Sequence, residues 1–483
     1  MKSFRPLRYL AIAVLAMLLP CYKPALAYSV LTHEQMIDLT WKNSIVPLLL
    51  SRYPTLTPAQ LEHARAYAYG GCVIQDIGYY PFGDRAFSNL THYVRTGDFV
   101  VSLFRNAGNA DELAFAVGAL SHYIGDSVGH SQATNLAVPY EFPKLFREYG
   151  SVVNYSQGER QHVQTEFAFD IDEVAHGHMA PLNYLKHVGL QVPTRQLALA
   201  FYQTYGIAED FSRGRGRRIN VGGYRFAVRT FIPRIAYAVT LLHQRHEPVP
   251  TPTPELTELE KEIAIVSADS HWDLYRRKPG IGTYSLAGLL FILPKVGPIK
   301  LVAVKGPSAE TETMYIHSLM GSATLLRRLL IRFTPPATAL PSGPLAAASG
   351  THSDLPPNEP LPEDSSAKQD VPRPSRDPRH PLSNRDLDTG RVVKAGEYLL
   401  TDATYADLVH RIASLPTQPI PPAIKEDILK YYADPNAPIS TKKNARRWAQ
   451  LQADLVTLKA IPVSSDPLPY ATYDADLGGD DLP

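Results

Sequence analysis

Apolar residues in the first half of the chain recur at helical spacing. Between residues 109 and 130 they fall at Leu113, Phe115, Ala116, Val117, Ala119, Leu120, Tyr123 and Ile124, a pattern dense enough for a helix buried on most sides. Asn109-Ala110-Asp111-Glu112 reads as its start, with Asn109 as cap and Glu112 reaching back to it. Further helical runs cover Gln35–Leu50, Pro58–Tyr69, Arg195–Tyr205 and Tyr224–His243, while alternating strand patterns are scarce there. The expected fold is all-α.

The same pattern divides the chain. Residues 1–27 combine a charged start (Lys2, Arg5, Arg8), an apolar stretch from Tyr9 to Leu19, and a small-residue site at Ala25-Leu26-Ala27. This predicts an export signal and a secreted or periplasmic protein. The apolar run stops at Pro20 and is too short to span a bilayer. Tyr284–Val304 is apolar but broken by Pro294, Lys295 and Lys300, which predicts a core or surface-lying segment and leaves no transmembrane span in the mature chain. Of the 42 prolines, 12 fall between Pro335 and Pro381, so 335–385 reads as an extended or disordered linker. It separates a body, 28–334, from a tail, 386–483. In the tail Tyr405–Ser414, Pro421–Tyr432 and Thr441–Leu458 read as three short helices without a chemical motif.

Charge narrows the partners. Loss of Lys2, Arg5, Arg8 and Lys23 with the signal leaves 44 basic against 47 acidic residues, a net of −3, with no basic excess to mark a nucleic-acid footprint. Cleavage also removes Cys21. Cys72 is left without a disulfide partner and reads as a small core residue.

Candidate chemistry lies in His33, Asp76, His92, then His122-x3-Asp126-x3-His130, then His162-x3-Glu166. Each step of four rotates only about 40° on a helix, so each group shares one stripe. Three ionisable groups inside an apolar helix each cost several kcal/mol without a strong partner. A metal supplies one, against the plainer reading of a hydrogen-bonded polar stripe. His, Asp and Glu are ligands that zinc accepts. His162 and Glu166 repeat the spacing on a second helix, Glu159–Asp170. Asp76 and His92, taken singly, read equally well as cap or core-edge residues. Signal cleavage would leave a free amine on Tyr28, five residues before His33, able to chelate together with its own carbonyl oxygen.

The ordered set, with the phrase His122-Tyr123-Ile124-Gly125-Asp126, resembles the zinc-dependent bacterial phospholipase C family, whose fold is shared with single-strand-specific zinc nucleases. The resemblance covers roughly Tyr28 to Phe169. It implies an all-α body with three zinc ions in a cleft: one on Asp76, His92, His122 and Asp126; one on His130, His162 and Glu166; one on the Tyr28 amine and carbonyl, His33 and bridging Asp126. It implies hydrolysis of a phospholipid phosphodiester by zinc-activated water, with Asp76 as ligand and proton acceptor. Glu166 fits the phospholipases, where the nucleases usually have Asp. Single-strand nuclease or nucleotidase activity, and a non-catalytic zinc-binding envelope protein, are the alternatives carried. The family's usual first residue, Trp, is Tyr28 here, and the Asp126 to His130 gap is about two residues short. The aromatic expected after the loop Asp is Ile77, with Tyr79, Tyr80 and Phe82 further on. In the tail, Lys425, Lys430, Lys442, Lys443, Arg446 and Arg447 form either a solvated face or a peripheral contact with an anionic membrane.

Overall fold

The computed structural model describes residues 29–80, 83–209, 211, 215–243, 252–292, 306–333 and 380–464, with the backbone alone for 215–220, 243, 291, 292, 332 and 333. The expected signal, Tyr28, Phe82 and the linker up to residue 379 lie outside the described residues. The fold is all-α; no strand occurs among the described residues, only isolated bridges Arg385–Val392 and Ile420–Val463. The principal helices are α1 (Val30–Thr40), α2 (Pro58–Gly71), α3 (Arg85–Tyr93), α4 (Thr96–Arg105), α5 (Ala110–Gly129), α6 (Tyr155–His176), α7 (Thr194–Tyr205), α8 (Ile232–His243), α9 (Ala309–Phe333), α10 (Leu399–Ala413), α11 (Pro422–Tyr431) and α12 (Ala445–Ala460). The apolar run Tyr284–Val304 begins within a helix, Ile281–Ile292, and no described helix is long and apolar enough to cross a membrane.

Helix α5 is the axis of the body. Its Leu113, Phe115, Val117, Leu120, Tyr123 and Ile124 are all fully buried, as the pattern requires. Asn109 caps it by accepting from Glu112 N at 3.0 Å. Glu112 reaches one residue further back than expected, to Gly108 N at 2.7 Å. Helix α2 starts on a complete capping box, Thr57 with Gln60, followed by Pro58. It then lies so close to α5 that a Cβ on Gly118 would sit 2.2 Å from Ala68 O. Gly118→Val should therefore force the two helices apart and cost about 2–3 kcal/mol, read as a lower urea midpoint at unchanged slope.

The last residues of the expected linker, from His380, and the tail are docked on the body rather than standing apart from it. Thr96 Oγ1 donates to Arg385 O at 2.8 Å, Tyr123 OH to Ser383 O at 2.7 Å, and α10 packs on α3 within one continuous apolar core. An ion cluster fastens the join: Arg95 pairs with Asp98 (2.8 Å) and Asp427 (3.1 Å), and His380 Nδ1 with Asp98 (2.8 Å). The linker prolines hid this because docking depends on scattered apolar and main-chain contacts, not on composition. Three cations of the tail have local work: Lys425 and Lys442 donate to main-chain carbonyls and Arg447 pairs with Asp407.

Hydrogen bonding to Asp427 and Asp98 raises the pKa of His380 to about 10. A raised folded-state pKa contributes stability that is complete below about 6.5 and lost as pH climbs towards about 10. Hydrogen exchange in residues 380–390 should accelerate across that window beyond its intrinsic pH dependence, and His380→Gln should remove the excess.

Candidate metal centre

The described candidate ligands come from six elements of the chain and meet inside the body. His33 is on α1, Asp76 on the 3₁₀ turn Ile74–Tyr79, His92 on α3, His122 and Asp126 on α5, and His162 and Glu166 on α6. His130 opens a π-turn, His130–Thr134, at the end of α5. All eight side chains are buried. They fall into three groups whose ligand atoms lie within 4.8 Å of one another: His33, His122 and Asp126; Asp76, His92 and His122; His130, His162 and Glu166. Tyr28, the ninth expected ligand, lies outside the described residues.

Asp126 occupies the middle. Its Oδ1 is 3.2 Å from His33 Nε2, and its Oδ2 is 3.1 Å from His122 Nε2 and 3.3 Å from His92 Nε2. Asp76 Oδ1 lies 3.3 Å from His92 Nε2. In the other group, Glu166 Oε1 is 3.1 Å from His162 Nε2 and 3.5 Å from His130 Nε2.

Three of the histidines are set in the same way. His92 Nδ1 meets Ser88 O at 2.7 Å, His122 Nδ1 meets Cys72 O at 2.9 Å, and His130 Nδ1 meets Leu387 O at 2.6 Å. A carbonyl only accepts, so each Nδ1 carries a proton and each Nε2 is left as the atom that faces the other candidate ligands. That is how metal-binding imidazoles are fixed. The inward atoms lack other partners: the carboxylates of Asp76 and Glu166, both His162 nitrogens and His130 Nε2 are buried without a hydrogen bond. Orphaned polar atoms in such number are costly, and divalent cations would satisfy the carboxylates and one nitrogen of each imidazole. The donor set fits zinc.

The electrostatics are those of a site built round positive charge. Burial opposes ionisation of Asp126, but His122, His33 and His92 draw its carboxyl well below the usual range. Burial likewise opposes charge on His92, and Asp126 and Asp76 overcome it, raising its pKa to about 10. In the other group burial dominates, pushing Glu166 up with help from Asp126 and His162 down with help from His130. Cys72 is buried, and burial pushes its thiol well up, which suits a core residue and no nucleophile.

The family model described as zinc dependent phospholipase C matches residues 32–210. Residues 32–210 are thus similar to that family. All eight described candidate ligands fall inside the matched region. Neither the search of curated proteins nor that of solved structures found a match.

Around this matched region the structure adds residues that sequence reasoning missed. Asp170, one helical step beyond Glu166, accepts from Leu31 N and Thr32 N, both at 3.0 Å, and from Thr32 Oγ1 at 2.7 Å. It thereby caps α1 and sets the start of the helix that carries His33. Its position in the His162, Glu166 series was the available clue. Asp170→Ala should cost about 2 kcal/mol, at the upper end for a lost cap, and weaken metal retention at the His33 group; urea melts with and without chelator would measure both. Leu387 has no such signal, because it acts through its carbonyl. Of the aromatics expected near substrate, Tyr79 stands 5.3 Å from the His92 ring and donates to Asn89. Tyr80 is buried in the core against Tyr224. Tyr155, not anticipated, stands edge-on to His162 at 5.7 Å.

Two further clusters resemble ligand groups. Asp98, His380 and Asp427 are already balanced by Arg95. Asp172, His176 and Glu312 join α6 to α9, with His176 Nδ1 held by Asp172 O at 3.0 Å.

Proposed function

We propose that this chain is a secreted zinc-dependent phosphoesterase, acting in the phospholipase C manner on a phospholipid phosphodiester. The observation that carries the reading is the convergence of three buried His/carboxylate groups inside a region of a zinc-dependent phospholipase C family. Three ions are proposed. Asp76, His92, His122 and Asp126 would hold one, and His130, His162 and Glu166 another. The Tyr28 amine and carbonyl, His33 and Asp126 would hold the third. Bound zinc supplies a water acidified to a pKa of about 7 and positive charge for the phosphoryl oxygens.

The protein's part is to hold and orient. Asp126 turns one oxygen to His33 and the other to His92 and His122, and so would serve both of those ligand sets. The carbonyls of Ser88, Cys72 and Leu387 hold three imidazoles in the tautomer that binds metal. Asp76, whose carboxylate has no hydrogen bond, is the proposed proton acceptor as well as a ligand. Tyr79 and Tyr155 offer apolar faces beside the two groups, and peripheral contact with the lipid surface belongs to this reading.

The test is an assay of purified mature protein on phospholipid vesicles, single-stranded DNA, RNA and a generic phosphodiester. Release of a phosphorylated headgroup from vesicles, abolished by chelator and restored by zinc, is expected. Cleavage of nucleic acid with no action on lipid would make it a nuclease. Zinc binding without any hydrolysis would make it a non-catalytic envelope protein.

A further inference from the structure

Beyond the matched family region, the segment Leu382–Tyr398 reaches the metal centre from the far end of the chain. Leu387 N donates to His92 O at 3.0 Å, and its carbonyl takes the Nδ1 proton of His130. One residue contacts two candidate ligands from different groups. Asn135 Nδ2 donates to Asp388 O at 2.7 Å, anchoring the same turn beside the π-turn of His130. The Asp388 carboxylate is buried at 1 % exposure. It accepts from Tyr93 OH at 3.0 Å and Tyr398 OH at 2.5 Å, Tyr93 being the neighbour of His92 in sequence. Asp386 organises the turn from within: its Oδ1 accepts from Asp388 N at 3.0 Å and Thr389 N at 3.1 Å. Gly390 follows in the left-handed region at φ +69°, where an added Cβ would meet Ser127 O at 2.3 Å. The turn is shaped to lie directly on the end of α5.

We infer that the Leu387–Asp388 turn is a positioning element of the metal centre, supplied by the tail, which orients His130 through the Leu387 carbonyl, while the buried Asp388 carboxylate pins the turn to Tyr93 and Tyr398. The inference rests on the phosphoesterase reading for the identity of the ligands. Its physical basis is general. An imidazole ligand needs its second nitrogen fixed, and the group that fixes it must itself be held in place. Residues on the matched domain fix His92 and His122 from within, by Ser88 and Cys72. Only the third of these imidazoles is fixed from the tail. His130 opens a π-turn rather than continuing the regular helix, and that is where the outside support arrives.

Leu387 and Asp388 are thus positioning residues, and zinc binding rather than turnover is the direct readout. Full-length mature protein would be prepared as the parent, Asp388→Asn and Gly390→Val. Zinc per chain would be followed by chelator competition, and cobalt-substituted forms by their visible absorption. Asp388→Asn should weaken one zinc by about 10-fold, and Gly390→Val, which displaces the turn, by up to about 100-fold. In both, the ions bridged by Asp126 should stay bound and the cobalt bands of a single site should change. If Gly390→Val does not fold, Asp388→Asn decides alone. Parent-like zinc affinity and cobalt spectra in the folded variants would overturn the inference and leave the phosphoesterase reading standing. A parent that binds no zinc would overturn both.

Discussion

Asp126→Asn is expected to strip more than one metal from the protein and to abolish hydrolysis. The substitution is nearly isosteric, so the fold should survive, but a neutral amide cannot serve two cations as a carboxylate does. Each Asp126 oxygen faces a different set of imidazoles, Oδ1 to His33 and Oδ2 to His92 and His122. Loss of the negative charge leaves three buried histidines around an uncharged centre. From the three zincs per chain proposed above, elemental analysis should fall to about one. That one should sit on His130, His162 and Glu166. Activity on a soluble phosphodiester should drop by about 10³-fold or more, about 4 kcal/mol of barrier. His162→Ala gives the complementary result: it should lose one zinc and spare the bridged pair. Retention of all zinc by Asp126→Asn would refute the bridge.

Ending the chain at residue 334 should be more damaging still. A body expected to fold and hydrolyse alone would, after this truncation, lose Asp427 from Arg95 and His380 from Asp98, leaving that buried pair with only each other. Breaking a buried ion cluster from one side costs about 3–5 kcal/mol. The face of α3 that receives α10, and the Tyr93 hydroxyl that bonds Asp388, would be laid bare as well. The truncated chain should therefore aggregate or melt far below the parent and lose activity on vesicles and soluble substrate alike. Loss on vesicles only would mean instead that the tail serves as a lipid-docking module and that the body stands by itself.

Much of this protein was legible in its residues because the information is local. Helical periodicity located α2, α7 and α5, and a four-residue interval put His122 with Asp126 and His162 with Glu166 on common faces. An i to i+4 spacing is a property of one helix and survives any packing of it. Extending that interval from Glu166 would have reached Asp170. What the chain could not disclose is what depends on distant main-chain atoms. No pattern of side chains announces that the Leu387 carbonyl meets His130, or that Cys72 holds His122 through its oxygen rather than its thiol. The prolines after residue 334 pointed to separation, since composition reports the stiffness of a connection and not where its far end lands. Tertiary structure alone decided that the tail reaches the candidate metal ligands. A hydrogen bond across more than 250 residues is specified by the sum of many apolar contacts and buried ion pairs, none of which carries a signature by itself.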